Sequence, residues 1–478
     1  MKKIYILVLL ILGTLTYTVN IKASYNYAYW DSIDSAEATH VVRVVDNSNI
    51  MDTLGNIKPI QMGDLRDVFA YNNHLYVSDA TNNKIHIFNQ SFEYVKSLPQ
   101  DIDAEGTLNN PQGIHVFNGL LYVADYNNNR IAIFDLSTEL MVQEVKNPND
   151  AIFDTLTFKP LKVTVDRTGR MNVIAYDVYE GIMEFDIDGN FNRYFGTNTI
   201  KLSVLDALIY RFSTKEQRDK MALKLQTSFT SMDIDQDGYI YTASRLEYWA
   251  PIKKLNFKGR NILETNGYVP IVGDAKFQDT DTRTIVGPSS IIDVAVHADN
   301  ERYSILDNKR GRIFTYDVDG HLLYISGGIG TEQNKLSGPT AITYFGELMI
   351  VTDNVSKSIL VFEPIAFGTK INQAIAQYYD MDYLAARETW QEVLKMNSNY
   401  FLAYAGIGRA ELREGNYKDA MVSLKRGYDY YNYSKAYEQY RNESLAKTLP
   451  YILVSGFGLF SFFIGKSVKN AIKREGDD

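Results

Sequence analysis

Two stretches of this chain nearly duplicate each other. Residues 75–88 read LYVSDATNNKIHIF and residues 121–134 read LYVADYNNNRIAIF, so the two copies begin 46 residues apart. A repeat of about this length is typical of a β-propeller, in which each copy forms one small sheet, called a blade. The repeat therefore constrains the architecture before any single residue is considered.

Weaker copies of the same strand bring the number of units to six. Short alternating strands precede and follow the copies, and turns rich in Asn, Asp and Gly separate them. These residues tolerate the positive φ that tight hairpins require. The sequence thus predicts a mainly β protein, with a six-bladed propeller of four-stranded blades over residues 40–364. The weaker copies lie at residues 172–177, 239–244, 303–307 and 348–353.

The sixth unit ends one strand short. Its third strand, residues 359–362, is followed by Pro364 and then by helical sequence. Residues 40–45, HVVRVV, alternate like a strand but have no partner before the first blade. We therefore predict that this segment forms the outer strand of the last blade. Such a pairing closes the ring and leaves no exposed sheet edge at the seam.

Aspartate recurs at the end of the second strand of most units. A carboxylate in this position commonly accepts hydrogen bonds from backbone amides of the next turn. We expect these residues to be structural caps rather than catalytic groups. They are Asp79, Asp125, Asp177, Asp307 and Asp353.

A second repeat, with a period of 34 residues, follows the propeller. Within each copy the conserved spacing is three and four residues, which places the set on one helix face. The period is that of the tetratricopeptide helix pair, so residues 365–446 are predicted to form tetratricopeptide-like helices, with an unrelated helical hairpin as the alternative. The two sets are Tyr383, Ala386, Trp390 and Val393, and then Tyr417, Ala420, Leu424 and Gly427.

Apolar segments at both ends indicate the location of the protein. Two lysines and an apolar run predict a signal peptide over residues 1–23, followed by an extension over 24–39. Residues 448–465 carry no charge and would extend about 27 Å as a membrane-spanning helix. A buried core helix is the alternative. Basic residues in the tail, 466–478, mark the cytoplasmic side, so the propeller is predicted to be extracellular.

Composition excludes several kinds of function. A formal net charge of −9 argues against nucleic-acid binding, which requires a concentrated basic surface. The absence of cysteine excludes disulfides, thiolate catalysis and cysteine metal sites.

Within blade three, an insertion over residues 199–227 has the apolar spacing of a helical hairpin.

Polar residues flank the apolar positions of the innermost strands, which border the propeller axis. We therefore expect the flanking side chains to line the axial channel and to form the best candidate ligand site. The alternative is a solvated channel that binds no ligand. The aligned apolar positions are Val68, Ile114, Val163, Met232, Val294 and Ala341. The candidate ligand-binding residues are Asp67, His115, Lys162, Asp233 and Asp293.

Metal and cofactor signals are weak in this sequence. The six histidines are scattered singly, without the spacing of zinc sites. Asp233, Asp235 and Asp237 open a segment like a calcium loop, but Ser244 stands where the bidentate acid is expected, and the same residues suit a hairpin. The sequence predicts no metal, no cofactor and no catalytic residue, with calcium as the less favoured alternative.

Several sequence motifs together resemble those of a known protein family. The pattern Asp-x-x-x-Asn-Arg-Ile at residues 125–131 resembles the NHL-repeat family of six-bladed propellers, and residues 307–313 match it loosely. With the phrases at 215–221 and 266–274, the whole chain resembles a membrane-anchored NHL-repeat family of Gram-positive-type bacteria, typically encoded beside carbohydrate ABC-transporter components. The resemblance implies no catalytic residues.

That resemblance implies an extracellular binding or scaffold protein, accessory to glycan uptake. Its expected partners are an ABC-transporter permease or a solute-binding protein, and a glycan is a further expected ligand. Two alternatives remain open: a propeller lyase or lactonase, whose axial metal would be held by His115, Asp67, Asp233 and Asp293, and a purely structural assembly platform.

Overall fold

The computed structural model describes residues 24–27, 33–57, 59–100, 106–146, 148–197, 228–247, 249–274, 287–332 and 335–475. The predicted signal peptide and the predicted helical insertion at 199–227 lie outside the described residues. The chain divides into two compact units, Met1–Thr369 and Lys370–Asp478.

The first unit is a six-bladed β-propeller. Before the blades, β1 (Ser24–Tyr27) and β2 (Ile33–Ala36) pair as a separate two-stranded sheet. Blade one comprises β4 (Leu65–Tyr71), β5 (His74–Asp79), β6 (Lys84–Asn89) and β7 (Tyr94–Leu98). Blade two comprises β8 (Pro111–Phe117), β9 (Leu120–Asp125), β10 (Arg130–Asp135) and β11 (Met141–Lys146). Blade three comprises β12 (Pro160–Val165), β13 (Met171–Ala175), β14 (Ile182–Phe185) and β15 (Phe191–Phe195).

The remaining blades complete the ring. Blade four comprises β16 (Ser231–Ile234), β17 (Ile240–Ala243) and β18 (Ile252–Leu255). Blade five comprises β19 (Ile291–Val296), β20 (Arg302–Asp307), β21 (Arg312–Asp317) and β22 (Leu322–Gly327). Blade six comprises β23 (Pro339–Phe345), β24 (Leu348–Asp353), β25 (Ser358–Pro364) and β3 (His40–Asp46). The inner strands contact one another in the order β4, β8, β12, β16, β19, β23 and back to β4. The fold predicted from the repeat is confirmed.

The predicted closure of the ring is also confirmed. Strand β3 pairs with β25 in antiparallel register, from His40 opposite Pro364 to Asp46 opposite Ser358. Val45 is 7% exposed and belongs to a hydrophobic cluster that includes Ile359 of blade six and Val68 of blade one. The seam is therefore held both by a strand ladder and by apolar packing across two blades.

Blade four departs from the prediction of four strands. Among the described residues its sheet has three strands, and after β18 the chain makes only a single bridge between Leu255 and Asn261. The following segment packs on blade five instead, where the Asn266 amide donates to the Asp319 carbonyl at 2.9 Å. At Gly267 a Cβ atom would lie 2.3 Å from the Gly320 carbonyl oxygen, so only glycine permits this approach.

The strand-end aspartates mostly behave as predicted. Asp79, Asp307 and Asp353 are fully buried, and each accepts backbone amides of the turn that follows its strand. Asp125 is also buried and accepts the Asn109 amide at 2.7 Å. Asp177 differs because it is exposed and adopts a positive φ of 58°.

The second unit is helical. It contains most of α1 (Ala366–Tyr379), which begins in the first unit, and then α2 (Tyr383–Met396), α3 (Phe401–Arg413), α4 (Tyr417–Arg426) and α5 (Tyr430–Glu475). The two copies of the 34-residue repeat begin α2 and α4, at Tyr383 and Tyr417. Gly408 lets α3 approach α4 closely, since a Cβ there would lie 2.5 Å from Leu424. Each of α3 to α5 packs on the helix before it in this row, and α2 contacts α1 where the Thr389 hydroxyl donates to the Gln377 side-chain oxygen at 2.7 Å.

Helix α5 contains the predicted membrane span. Over Tyr430–Asn470 it is long and apolar enough to cross a bilayer, and none of its most apolar window is buried. Pro450 lies inside the helix near the start of the apolar segment. Among the described residues this is the one candidate membrane span.

We predict that Val45→Asp destabilises the propeller by about 3 kcal/mol, because it buries a carboxylate in the cluster between blades six and one. Val41→Asp is the matched control: Val41 lies on the same strand but is 40% exposed, so its effect should stay within about 0.5 kcal/mol. Urea unfolding followed by circular dichroism measures both. Equal effects of the two variants would contradict the closure described above.

Candidate functional site

An ion pair occupies the axial channel. The Lys162 Nζ on β12 lies 2.6 and 2.8 Å from the two carboxylate oxygens of Asp67 on β4. Both side chains are buried, with 13% and 3% of their surface exposed. Asp67 also accepts the Ile114 amide of β8 at 2.8 Å, which links blade one to blade two. Two of the five predicted site residues are thus in direct contact.

Two further predicted residues form similar links between blades. Asp293 accepts the amide of Ile342 on the next inner strand at 2.7 Å. Asp233 accepts the Val296 amide at 2.8 Å and the amide of the adjacent Ile234 at 2.9 Å. These carboxylates therefore fasten blade five to six and blade four to five, a structural role that the sequence did not predict.

His115, the fifth predicted residue, lies deeper in the channel. Its ring is 4.4 Å from that of Phe69, and its side chain is buried. Burial, with Lys162 nearby, lowers the pKa of His115 to about 3, so the imidazole is neutral at physiological pH. It lines an inner cavity of about 10 Å³, whose wall also includes Thr164 and Asp233. Such a volume suits about one water molecule.

Burial sets the charge states of the axial groups. Burial raises the pKa of Asp233 to about 6, although backbone amides and Lys162 oppose the rise. It also raises the pKa of Asp293 to about 6, again opposed by Lys162. Burial alone would lower the pKa of Lys162, but Asp67, Asp293 and Asp233 together raise it to about 12. Lys162 therefore acts on all three of these carboxylates, and Asp67 is its direct partner.

Above this ion pair the channel opens into a cavity of about 450 Å³. We call it the mouth cavity. It lies where the inner strands begin, and Asp67, Lys162 and Asp293 belong to its wall. Arg245, from the loop between β17 and β18, is positioned there by a hydrogen bond to Ser290 at 3.2 Å. The other polar side chains of the wall are Arg66, Gln112, Thr230, Ser231, Asn308, Thr340 and Asn354.

The sequence reasoning missed these wall residues for an identifiable reason. Inner strands carry a register shift near their first residue, for example between Pro339 and Ala341 in blade six, so strict alternation fails there. The apolar position of blade six is Ile342, not the predicted Ala341, since Ile342 pairs with Val351 as Val68 of blade one pairs with Val77. A usable signal existed: Asn308 and Asn354 each directly follow a strand-end aspartate.

The acidic segment predicted as a possible calcium loop directs its carboxylates to different partners. Asp233 faces the axis, Asp235 accepts the Tyr239 amide and pairs with Lys254 at 3.2 Å, and Asp237 lies 3.4 Å from Arg167. Among the described residues, no group of three or more His, Asp or Glu side chains has the arrangement of a metal site. Asp67 is already paired with Lys162, so a metal held by His115, Asp67, Asp233 and Asp293 would have to displace this ion pair.

Comparison with known proteins supports the class of the fold. The model of the family described as NHL repeat matches residues 108–134, which include most of blade two. No curated protein matches the sequence significantly. The fold and this repeat define a six-bladed β-propeller protein with an NHL repeat, followed by helices.

Three solved structures illustrate the likeness. A structural genomics protein of unknown function from Bacteroides thetaiotaomicron is 12% identical, covering 70% of this chain and 78% of that chain, with a TM-score of 0.45. An auxiliary nutrient binding protein from the same organism is 11% identical, with coverages of 69% and 78% and a TM-score of 0.45. Virginiamycin B lyase from Staphylococcus aureus is 11% identical, with coverages of 68% and 100% and a TM-score of 0.43. Likeness at this level carries no functional information.

We predict that Lys162→Met destabilises the propeller by about 3–5 kcal/mol, because the Asp67 carboxylate is left buried and unpaired. Adding Asp67→Asn should recover most of the loss. Lys96→Met is the matched control, since Lys96 pairs with Glu139 near the surface and its loss should cost under about 1 kcal/mol. Urea unfolding of the three variants measures these changes in stability. A Lys162→Met variant as stable as the control would refute the axial ion pair.

The raised pKa of Asp233 predicts a pH dependence of stability. Its value of about 6 in the folded chain exceeds the ordinary 3.8, so the folded state binds this proton more tightly. The stability from this proton is complete below about pH 4 and is lost as pH rises through about 6. Relative to Asp233→Asn, the wild type should gain about 1 kcal/mol between pH 7 and pH 5. A stability difference that does not change with pH would contradict the shift.

Proposed function

We propose that this protein is a membrane-anchored extracellular binding protein, accessory to carbohydrate uptake by an ABC transporter, and that the mouth cavity takes the glycan. The observation that carries the proposal is the cavity itself. Its volume of about 450 Å³ falls within the range of small-molecule sites, and its wall concentrates polar side chains.

The chemistry of the wall suits a neutral polyhydroxylated ligand. Guanidinium and carboxamide groups from Arg245, Gln112, Asn308 and Asn354 offer arrays of donors and acceptors, which match the hydroxyl groups of a sugar. At the floor, Lys162 is already paired with Asp67. A neutral ligand would therefore bind without leaving a buried charge unpaired.

Aromatic residues on the same face add a second kind of contact. Tyr176 directly follows β13 and Trp249 lies between β17 and β18, on loops at the end of the blades where the inner strands begin. They are 49% and 87% exposed. Tyr126, in the equivalent loop of blade two, packs edge-on to Tyr176 with ring centroids 6.3 Å apart. Exposed rings of this kind can stack on sugar faces.

The location rests on the chain ends. The apolar segment of α5 is a candidate membrane span, and Lys466 and Lys469 follow it, as expected for the cytoplasmic side. The helices of the second unit are proposed to meet a transporter permease or a solute-binding protein, as the family resemblance implies. The propeller would then present its ligand beside the transporter.

The binding proposal predicts that the full chain in detergent binds at least one of a panel of neutral mono- to tetrasaccharides, measured by isothermal titration calorimetry. Arg245→Ala should weaken that binding about tenfold or more, since a hydrogen bond from a charged donor is lost. Arg260→Ala, on a turn at the opposite end of blade four, is the matched control and should bind normally. No saccharide binding at millimolar concentration, or equal effects of the two variants, would refute the proposal.

The partner proposal predicts co-purification. A tag placed after Asp478 should recover a transporter permease or solute-binding subunit from mildly solubilised, crosslinked membranes. The protein recovered alone under these conditions would count against an accessory role, while leaving the saccharide measurement to stand separately.

A further inference from the structure

A row of three hydrogen-bonded side chains crosses blade one. Asp79 ends β5, His86 lies on β6 and Ser97 lies on β7, directly opposite His86 in the strand register. The His86 Nε2 is 3.3 Å from Asp79 Oδ2, and its Nδ1 is 2.7 Å from Ser97 Oγ. A carboxylate, an imidazole and a hydroxyl thus follow one another in the order used by nucleophilic serines.

The protons in this row can be assigned from the chemistry of its ends. Burial opposes ionisation of Asp79, yet bonds from His86 and from the Gly63 and Asn82 amides hold its pKa below the usual value. The ionised carboxylate can only accept, so His86 Nε2 carries the donated hydrogen. In the neutral ring Nδ1 is then the acceptor, and Ser97 donates to it. The Tyr94 hydroxyl, 2.9 Å away, is left to donate to Ser97 Oγ.

Ser97 faces an open cavity. The cavity has a volume of about 640 Å³, and its wall includes His86, Ser97, Tyr94, Lys84 and Lys96. It shares no wall residue with the mouth cavity. Ser97 is half-buried, whereas His86 and Asp79 behind it are buried. The hydroxyl is therefore accessible while the groups that would activate it are shielded from water.

The turn after β5 does not by itself require a histidine and a serine. In blade two the equivalent aspartate, Asp125, accepts the Arg130 Nε at 2.8 Å, and Arg130 reaches on to Glu144 at 2.8 Å. Arg130 stands at the position of Lys84, and Ala132 stands at that of His86, so blade two has no imidazole in this row. Blade one instead places a base and a hydroxyl at the wall of its cavity.

We propose that Ser97 is a nucleophile for small polar carboxylic esters, with His86 as its general base and Asp79 as a positioning residue. Ser97 Oγ bonds to the ester carbonyl carbon while its proton moves to His86 Nδ1. The carbon–oxygen bond to the alcohol then breaks, and the alcohol leaves with that proton. Water attacks the acyl-serine, His86 takes and returns one proton, and the carboxylic acid departs. Lys84 and Lys96 also belong to the cavity wall, where the Lys84 Nζ donates to the Pro99 carbonyl oxygen and the Lys96 Nζ pairs with Glu139.

The first test uses a fluorophosphonate probe on the full chain in detergent. Ser97 should displace fluoride and gain a phosphonyl group, detected by peptide mass spectrometry. Ser97→Ala and His86→Gln should abolish the adduct, while Ser91→Ala, an exposed serine on the turn before β7, should leave it unchanged. No adduct on Ser97 under conditions that fully label a known serine esterase, or equal labelling in His86→Gln, would overturn the proposal.

A second test places a thiol at the position of the hydroxyl. The natural chain has no cysteine, so Ser97→Cys introduces a single thiol beside His86. Its alkylation by iodoacetamide at pH 7 should be about tenfold faster than that of Ser91→Cys, because the neighbouring base favours the thiolate. Adding His86→Gln should remove the difference. Equal rates in Ser97→Cys with and without His86 would show that the row is only structural. The saccharide measurement can fail or succeed independently of both tests.

Discussion

The pairing of β3 with β25 is the interaction on which the rest of the propeller depends. A ring of blades is stable only if its first and last elements meet, because a blade that lacks its outer strand exposes an edge and an apolar face. Here a strand from before the first blade supplies the missing edge, and Val45 carries the apolar core across the seam. The ring closure in turn fixes the inner strands around one axis.

The closed ring brings ionisable side chains together around its axis. Lys162 and Asp67 meet across the channel, and Asp233 and Asp293 accept amides from the neighbouring blades. A side chain that accepts an amide from the next blade orients that blade as well as itself. The floor of the mouth cavity is thus built from the same groups that hold the ring together, which gives a binding surface with little freedom to rearrange.

Much of this architecture could be predicted from the sequence because repeats report local structure. The copies at 75–88 and 121–134 fixed the blade, and Pro364 revealed the missing strand. Predictions failed where the chain departs from regular alternation. The predicted axial position of blade six is one residue early, at Ala341 instead of Ile342, and Gly267 marks a segment that packs on a neighbouring blade rather than forming a strand.

The candidate sites were harder to predict than the fold for a related reason. His115 and Lys162 could be placed near the axis from strand phase, but their partners depend on side-chain contacts between strands far apart in sequence. Arg245 reaches the mouth from a loop, where no periodicity applies. The row from Asp79 through His86 to Ser97 has no recognisable spacing, because the three residues are neighbours only across a sheet.

We propose that the propeller lies outside the cell, attached to a helix that crosses the membrane once. Because the chain lacks cysteine, single-cysteine variants can report each side of the membrane. The most direct measurement is labelling of Ser91→Cys and Asp478→Cys in intact cells with a membrane-impermeant maleimide. The account predicts that Ser91→Cys is labelled at once, while Asp478→Cys is labelled only after permeabilisation. Labelling of Asp478→Cys in intact cells, with Ser91→Cys protected, would contradict it.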